Sequence, residues 1–367
     1  MKKRILLILI TFSTLAVSCF DDLDDNIQNS SNSSIGDFIY RGLNYFYLYK
    51  SVSPELADDY FMNQNELNSF LDSFENPRET FDFLIAPTDR FSVLVNDYNE
   101  LENALNGITL SNGMEFGLVY YPDGSTNLFG YVRYVLPNTD AATKGIQRGI
   151  LFNTINGQQL TDTNYLSLIS LNSYEIGLAT FDGETIIPTE ERIELTKQEY
   201  TENPIYISET LAIEGQKIGY LMYNAFTRGF DTSLNSVFAQ FKADGINDLI
   251  LDLRYNGGGS VETAVDLSSM ITGQFNNQLF ANEFWNDDRQ NVYANPILFN
   301  DKIFTGELIN SLNLNKVYIL TTNSSASASE LVINCLKPYI EVKQIGDRTR
   351  GKYQASFLLY DAPAPNF

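Results

Sequence analysis

The sequence predicts a multidomain α+β protein, with a helical N-terminal unit, a β-rich domain and a C-terminal α/β domain. Three observations support this class. The chain has 367 residues, which exceeds the usual size of one domain. Apolar residues recur at three- and four-residue intervals up to about residue 107, and at every second residue from about residue 113. After about residue 205, apolar strand-like runs alternate with helical stretches, which is typical of an α/β domain.

The first 34 residues predict an export signal and a tether. A basic start at 2–4 precedes an apolar stretch at 5–17, and the sequence Leu-Ala-Val-Ser-Cys ending at Cys19 resembles a bacterial lipobox. We therefore expect residues 1–19 to be a lipoprotein signal peptide and Cys19 to carry the lipid, although an ordinary secretory signal with a coincidental cysteine is an alternative. The polar residues 20–34 would form a flexible tether.

These features predict a lipid-anchored protein of the cell envelope, located at the outer membrane. An acidic run directly follows Cys19 and resembles the surface-export signal of Bacteroidetes lipoproteins, which favours the outer face. The formal net charge of -22 argues against a nucleic-acid partner, because phosphates would repel such a surface. No feature of the sequence specifies an oligomeric state.

Residues 35–111 predict a small helical domain. Apolar side chains recur at helical spacing within 38–47 and again within 67–74, and three prolines separate the helical stretches. No strand-like alternation interrupts this segment.

Residues 112–200 predict a β-rich domain with strands at 116–121, 130–136, 149–155 and 192–195. The segment 135–157 runs from a strand through a short helix and a glycine-closed turn to a second strand, which ends in Asn-Gly. This order resembles the central part of a PDZ domain. The resemblance implies that Phe116, Gly117 and Leu118 form a carboxylate-binding loop, where a peptide C-terminus adds as a strand. A small β-rich domain without a ligand is the alternative.

Residues 203–367 predict an α/β domain in which a strand passes through a turn of small residues into a helix on two occasions. The first case is a strand at 249–253, a glycine-rich turn and a helix at 261–271. The second is a strand at 316–320, a Ser-Ala repeat and a helix at 329–337. An earlier strand at 217–223 and a helix at 230–244 complete the predicted core, and the apolar run at 357–360 predicts a further strand. The carboxyl ends of such strands commonly present a functional site.

The absence of histidine excludes several kinds of active site. None of the 367 residues is histidine, so a Ser-His-Asp triad, a Cys-His dyad and a His-ligated zinc site are impossible. An activated serine would need another base, and lysine is the best candidate. A lysine can act as a base only where a dry environment favours its neutral form.

Two small-residue turns contain the candidate groups. The Ser325-Ala326-Ser327-Ala328-Ser329-Glu330 run could present a nucleophile, although a helix N-cap is the simpler explanation for one of its serines. The glycines at 257–259 leave backbone N–H groups uncovered at a helix start, which suits an anion. Because the P-loop and dinucleotide-binding spacings are missing, an oxyanion hole and a purely structural turn both remain open.

The motif order resembles the carboxy-terminal processing (tail-specific) protease family. The chain carries Asp-Leu-Arg-x-Asn-x-Gly-Gly at 252–259, the Ser-Ala repeat, and Gly-Lys at 351–352, with the lysine 25 residues after Ser327. The resemblance implies a PDZ domain before a catalytic domain of the ClpP/crotonase type, with Ser327 as nucleophile and Lys352 as general base. It also implies an oxyanion hole from the backbone of Ala328 and of Gly258 or Gly259.

The implied activity is that of a serine endopeptidase, which cleaves protein substrates captured by their free C-termini and uses no metal or cofactor. Two departures from the family pattern are visible. Many members carry a glutamine four residues after the lysine, where this chain has Ser356, and Gln354 lies two residues earlier. The chain also ends 15 residues after Lys352, which suggests that the catalytic domain is truncated.

Two other functions stay open at this stage. A truncated protein could keep the PDZ-like cleft and act as a peptide-binding surface lipoprotein without turnover. The acidic composition and the expected surface location would also suit a glycan hydrolase with paired carboxylates, but no carboxylate pair has a recognisable context.

Overall fold

The computed structural model describes residues 32–360, which divide into two compact units. The first unit contains residues 32–94, 285–293 and 359–360, and the second contains 95–284 and 294–358. The expected signal peptide, the expected lipidation site at Cys19 and most of the expected tether lie outside the described residues. Between residues 32 and 360, no helix is long and apolar enough to cross a membrane.

The first unit is mainly helical. Asparagine side chains begin two of its helices, since Asn63 and Asn76 each accept backbone N–H groups from the first turn. Its helices are α1 (Asn32–Phe46), α2 (Gln64–Leu71) and α3 (Pro77–Leu84), with 3-10 turns at Lys50–Val52 and Pro54–Leu56. Its main hydrophobic cluster contains the buried side chains Tyr40, Tyr47, Leu56, Leu67, Leu71, Leu84 and Ala86. The expected helical spacing around 38–47 and 67–74 is therefore present.

A segment distant in sequence completes this unit. Residues 285–293 pack against the helices, where the Asn286 side-chain amide donates to the backbone carbonyls of Tyr45 and Tyr47, 3.1 Å away in each case. The Lys50 ammonium also bridges Asp58 and Asp288, the latter at 2.6 Å. Helix α9 (Gln290–Tyr293) lies in this segment, although sequence analysis assigned the whole of 203–367 to the catalytic domain.

The second unit contains two main sheets. It begins with α4 (Tyr98–Leu105) and strand β1 (Ile108–Ser111), which pairs antiparallel with β8 (Gln198–Thr201). The expected helical segment 35–111 thus ends in a strand. The six-stranded antiparallel sheet contains β2 (Met114–Tyr120), β3 (Leu128–Val135), β4 (Leu151–Ile155), β5 (Gln158–Gln159), β6 (Ser173–Phe181) and β7 (Ile186–Thr196). Helices α5 (Asp140–Thr143) and α6 (Tyr165–Ile169) connect its strands, and Phe152, Ile155 and Ile176 lie in its core.

The five-stranded sheet has the order β15, β14, β11, β10, β9. Strands β10, β11, β14 and β15 are parallel neighbours, while β9 pairs antiparallel with β10. The strands are β9 (Ile205–Ile213), β10 (Gln216–Tyr223), β11 (Asp248–Asp252), β14 (Lys316–Thr321) and β15 (Glu341–Gly346). Helices α7 (Asp231–Asp244), α8 (Val261–Thr272) and α10 (Ala328–Leu336) share one hydrophobic core with these strands. A small pair, β12 (Leu279–Asn282) and β13 (Pro296–Leu298), is also present.

The expected α/β elements are confirmed, and the structure adds strands that sequence analysis did not identify. Strands β9 and β15 are at the two ends of the five-stranded sheet, and β6 lies inside the six-stranded one. The apolar run at 357–360 was expected to form a strand, and this prediction was wrong, because these residues form no helix or strand.

Candidate active site

Two loops meet at the carboxyl edge of the five-stranded sheet. Strands β11 and β14 are adjacent and parallel, so the chain leaves both at the same edge before entering α8 and α10. Hydrogen bonds join the loops directly. Ala326 N–H donates to Asn256 O at 3.1 Å, and the Ser325 hydroxyl donates to Leu253 O at 2.7 Å. The glycine turn and the Ser-Ala repeat therefore form one structure, as their positions after parallel strands predict.

An ion pair stabilises the start of the glycine turn. The Arg254 guanidinium contacts both carboxylate oxygens of Asp252, with Nη2 and Oδ2 2.6 Å apart, and Tyr220 Oη donates to the same carboxylate at 2.7 Å. Asp252 is buried, and its carboxylate raises the pKa of Arg254 above the usual range. These bonds satisfy a carboxylate that would otherwise be costly to bury.

Ser327 has a strained backbone. Its φ is 55° and its ψ is -114°, whereas the other described non-glycine residues with positive φ are four asparagines and one glutamate. Such a conformation costs on the order of 1–3 kcal/mol and is common at functional sites. Ser327 is also the N-cap of α10, so the expectation that one serine of the repeat caps a helix is confirmed. Capping alone does not require this backbone conformation.

The two neighbouring serines have structural roles. Ser325 and Ser329 are fully buried, and their hydroxyls donate to the backbone carbonyls of Leu253 and Asn256, at 2.7 and 2.9 Å. Ser327 is only half-buried, and no carbonyl or carboxylate between residues 32 and 360 accepts its hydroxyl proton. Among the three serines of the repeat, Ser327 is therefore the one available for reaction.

The glycine turn approaches Ser327 closely. A Cβ at Gly258, where φ is +109°, would lie 2.7 Å from Ser327 Cβ and 3.0 Å from Ala328 N. The Gly258 N–H donates to the Asn256 side-chain oxygen at 2.9 Å. By contrast, the N–H groups of Gly259 and Ala328 donate to no acceptor within the described part of the chain. Sequence analysis left open whether Gly258 or Gly259 supplies a backbone N–H to the implied oxyanion hole. In the structure the two N–H groups differ, because only that of Gly258 is bonded to Asn256.

Glu330 connects the two expected catalytic residues, a role that sequence analysis missed. Its buried carboxylate accepts the N–H of Ser327 and the N–H of Lys352 on the same oxygen, Oε2, at 2.8 Å each. The other oxygen accepts Gly351 N–H at 2.6 Å. The backbone nitrogens of Ser327 and Lys352 are therefore no more than twice 2.8 Å apart. The Ser-x-x-Glu spacing of a capping box was the available signal.

Lys352 itself is half-buried and follows β15 through the loop 347–352. Arg350 N–H donates to Ser325 O at 2.9 Å. Together with the bonds from Gly351 and Lys352 to Glu330, this contact holds the loop against both ends of the serine repeat. After Lys352, Gln354 is half-buried and Ser356 is exposed. The position that carries glutamine in many relatives therefore faces solvent here.

The expected carboxylate-binding loop is instead part of a strand. Phe116, Gly117 and Leu118 lie within β2 and pair with β3, so the prediction of a loop was wrong in its geometry. A Cβ at Gly117 would lie 2.6 Å from the ring of Tyr131, which explains the glycine by close packing. Strand β2 is the first in its sheet, and its outer edge pairs with no other strand of the described residues.

Comparisons with known proteins show similarity to peptidases in sequence and fold. Residues 217–359 match the family described as Peptidase family S41. The chain is 24% identical over 251 residues to a chloroplastic C-terminal processing peptidase of Tetradesmus obliquus, which covers 64% of this chain and 50% of that protein. It is also 24% identical over 173 residues to a carboxyl-terminal-processing protease of a Picosynechococcus species, covering 46% and 37%. The chain thus spans half or less of the length of these curated relatives.

A solved structure assigned to the S41 proteases, from Bacteroides fragilis, shares the fold over most of the chain. The TM-score is 0.63 and the identity is 26%, and the match covers 86% of this chain and 79% of that one. The family match at 217–359 includes the glycine turn, the serine repeat, Glu330 and Lys352. Residues 217–359 therefore match peptidase family S41 in sequence, and the chain resembles a solved S41 protease in fold.

Proposed function

We propose that this protein is a serine endopeptidase in which Ser327 is the nucleophile and Lys352 is the general base. The observation that carries the proposal is the Glu330 carboxylate, which binds the backbone N–H groups of both residues through one oxygen. The strained φ of Ser327 supports the same assignment. The hydroxyls of Ser325 and Ser329 also support it, because both already donate to backbone carbonyls. Lysine is the base because the chain contains no histidine.

Acylation begins when the Ser327 hydroxyl gives its proton to the neutral Lys352 amine and its oxygen bonds to the substrate carbonyl carbon. The tetrahedral intermediate then breaks the C–N bond, and the departing amine takes the proton from the Lys352 ammonium. In deacylation, a water molecule gives a proton to the same amine and attacks the ester carbonyl. The Ser327 oxygen leaves and recovers its proton from Lys352.

The oxyanion would be bound by the N–H groups of Gly259 and Ala328. Both are free of acceptors in the described structure, whereas the Gly258 N–H is already bonded to Asn256. Ala328 also begins α10, so the partial positive charge of the helix N-terminus adds to its effect. Gly258 contributes by its small size, since any side chain there would overlap Ser327.

Substrate capture would use the free edge of β2. A peptide C-terminus can add to an exposed strand edge through backbone hydrogen bonds, as in PDZ domains. The residues named from sequence, Phe116 to Leu118, lie on this strand. A labelled peptide with an apolar, free C-terminus should bind, and the same peptide with an amidated C-terminus should bind at least about tenfold more weakly. Equal binding of the two peptides would argue against carboxylate recognition.

The location is proposed from the sequence alone. Cys19 would carry the lipid that anchors the protein to the outer membrane of the cell envelope. In cells that express the full chain, Cys19→Ala should abolish incorporation of a labelled fatty acid and release the protein from the membrane fraction. Membrane retention of a processed Cys19→Ala protein would show that another tether is present.

Digestion of an unfolded protein with a free apolar C-terminus tests the activity. We expect cleavage by the wild-type chain and none by Ser327→Ala, with Ser324→Ala as the matched control from the same loop. Lys352→Arg should also be inactive, because a guanidinium stays protonated at any usable pH. Full activity of Ser327→Ala would contradict the mechanism, and binding of the substrate by wild type without cleavage would favour a peptide-binding protein.

A further inference from the structure

A second group of buried polar side chains surrounds the N-terminal half of α8. Tyr223 ends β10, Asp231 begins α7, Asp266 lies in α8, and Asn300 follows β13. Tyr223 is fully buried, and Asp231 and Asp266 are each 2% exposed. The proposed peptide hydrolysis uses none of these four residues.

Each member of the group has one oxygen without a partner. Asp231 Oδ1 accepts the Thr263 hydroxyl at 2.8 Å, and Asp266 Oδ1 accepts the Asn300 amide at 2.5 Å. The second carboxylate oxygen of each aspartate, the Asn300 side-chain oxygen and the Tyr223 hydroxyl are buried and have no hydrogen-bond partner. Buried polar atoms of this kind are rare in native proteins, and each costs about 1–3 kcal/mol when it is left unpaired.

The hydrogen bonds bring these groups to one place. Thr263 and Asp266 are three residues apart and therefore share a face of α8. Asp231 is bonded to the first and Asn300 to the second. Burial, together with the charges of Asp231 and Asp266, raises the pKa of the Tyr223 hydroxyl, so this phenol keeps its proton and is a neutral oxygen.

The group lacks a buried positive charge. Within the described residues, no lysine or arginine forms an ion pair with Asp231 or Asp266. Arg228 is exposed, and its guanidinium carbon lies 3.8 Å from the ring centroid of Phe304. Two buried carboxylates without compensation would oppose folding strongly.

We propose that Tyr223, Asp231, Asp266 and Asn300 bind a hard divalent cation of the Ca²⁺ type. All four unpaired atoms are oxygens, and two of them belong to carboxylates. Ca²⁺ prefers oxygen ligands, whereas zinc commonly takes nitrogen and sulfur ligands. Two positive charges would balance the two carboxylates. The flexible coordination geometry of Ca²⁺ suits a site drawn from a strand, two helices and a loop.

The cation would stabilise the sheet edge that carries the glycine turn. Ser260 caps α8 by accepting Thr263 N–H at 3.1 Å, and the Thr263 hydroxyl is bonded to Asp231. The proposal does not depend on peptidase activity, since its consequences are binding and stability.

Calcium binding to the full chain tests the proposal directly. After treatment with a chelator and its removal, we expect calorimetry with CaCl₂ alone to give one site per chain, and saturating Ca²⁺ to raise Tm by several degrees. Asp266→Asn should weaken Ca²⁺ binding by at least about 100-fold and abolish the Tm shift, because affinity follows the charge of the ligands. Asp301→Asn, which removes an exposed charge next to Asn300, should bind as the wild type does.

The competing explanation is a shared proton or a buried water molecule in place of the ion. The proposal is overturned if wild-type protein shows no binding and no Tm change at millimolar Ca²⁺. It is also overturned if Asp266→Asn keeps the full Ca²⁺-dependent Tm shift. If Asp266→Asn does not fold, the wild-type titration alone decides, with Mg²⁺ at equal concentration expected to give the smaller shift.

Discussion

Glu330→Gln should separate the positioning of the proposed catalytic residues, Ser327 and Lys352, from their chemistry. Glutamine has nearly the size of glutamate, but it carries no charge and only one acceptor oxygen. The carboxylate of Glu330 accepts three backbone N–H groups, from Ser327, Gly351 and Lys352, at 2.6 to 2.8 Å. In the variant, the oxygen can keep the bonds to Ser327 and Lys352, while the NH₂ group faces the Gly351 N–H.

The size of the effect follows from these bonds. A hydrogen bond to a charged group contributes roughly 1.5–3 kcal/mol, and a neutral one about 0.5–1.5 kcal/mol. Losing one bond and weakening two others predicts a decrease of the free energy of unfolding on the order of 3 kcal/mol. Because a displacement of about 1 Å can lower a rate by about 100-fold, we expect a loss of that size in kcat. KM should change little, since the Glu330 carboxylate is buried and binds backbone N–H groups of the chain itself.

Steady-state digestion of an unfolded substrate, combined with titration of active sites by an acylating inhibitor, measures this effect. The titration counts folded, reactive molecules, so kcat per titrated site reports positioning alone. Glu341→Gln is the control, since Glu341 is exposed and its ion pair with Lys343 on β15 contributes little. If Glu330→Gln kept kcat per titrated site within about threefold of wild type, the carboxylate would only support the fold.

Two further outcomes are expected. Gly258→Ala should lower kcat by at least about 100-fold, because its Cβ would lie 2.7 Å from Ser327 Cβ. In the same digestion assay, the control Gly257→Ala should keep kcat within about twofold of wild type, because its Cβ would meet nothing within 4 Å. Burial, together with the charge of Glu115, raises the pKa of Glu202 to about 7, from an ordinary value of 4.5. The folded state therefore binds the proton of the Glu202 carboxyl group more tightly than the unfolded state does. The stability that this protonated carboxyl group contributes is complete below about pH 4.5 and is lost as pH rises through 7. From pH 5 to pH 8, the free energy of unfolding measured in urea should decrease by on the order of 2 kcal/mol more in wild type than in Glu202→Gln. Equal decreases in the two proteins would contradict this account.

Local sequence patterns predicted most of the elements that build the active site. Strands β11 and β14 are largely apolar runs, each followed within a few residues by a turn of small residues, and both helices after these turns begin with a serine cap. Each of these patterns involves only a few consecutive residues, so it can be recognised in the sequence without knowledge of the fold. The parallel pairing of the two strands then brings their loops to one edge.

Edge strands were harder to identify, and the reason is physical. Five of the six residues of β15 are exposed, so the strand lacks the alternation that a half-buried strand shows. Strand β9 likewise has no fully buried residue. By contrast, the run at 357–360 is apolar but pairs with no strand. Hydrophobicity alone therefore both missed strands and predicted one that does not form.

The role of Glu330 depends on contacts that no local pattern contains. The Ser-x-x-Glu spacing predicts a capping box, in which the carboxylate serves its own helix. The structure adds Gly351 and Lys352, more than 20 residues later, to the same carboxylate. The bond to Ser327 N–H can contribute about 1.5–3 kcal/mol, which is close to the roughly 1–3 kcal/mol that the positive φ of Ser327 costs. The strained backbone of Ser327 and the position of Lys352, the proposed nucleophile and base, are thus stabilised by one buried charge. A disturbance of either residue should therefore affect the other.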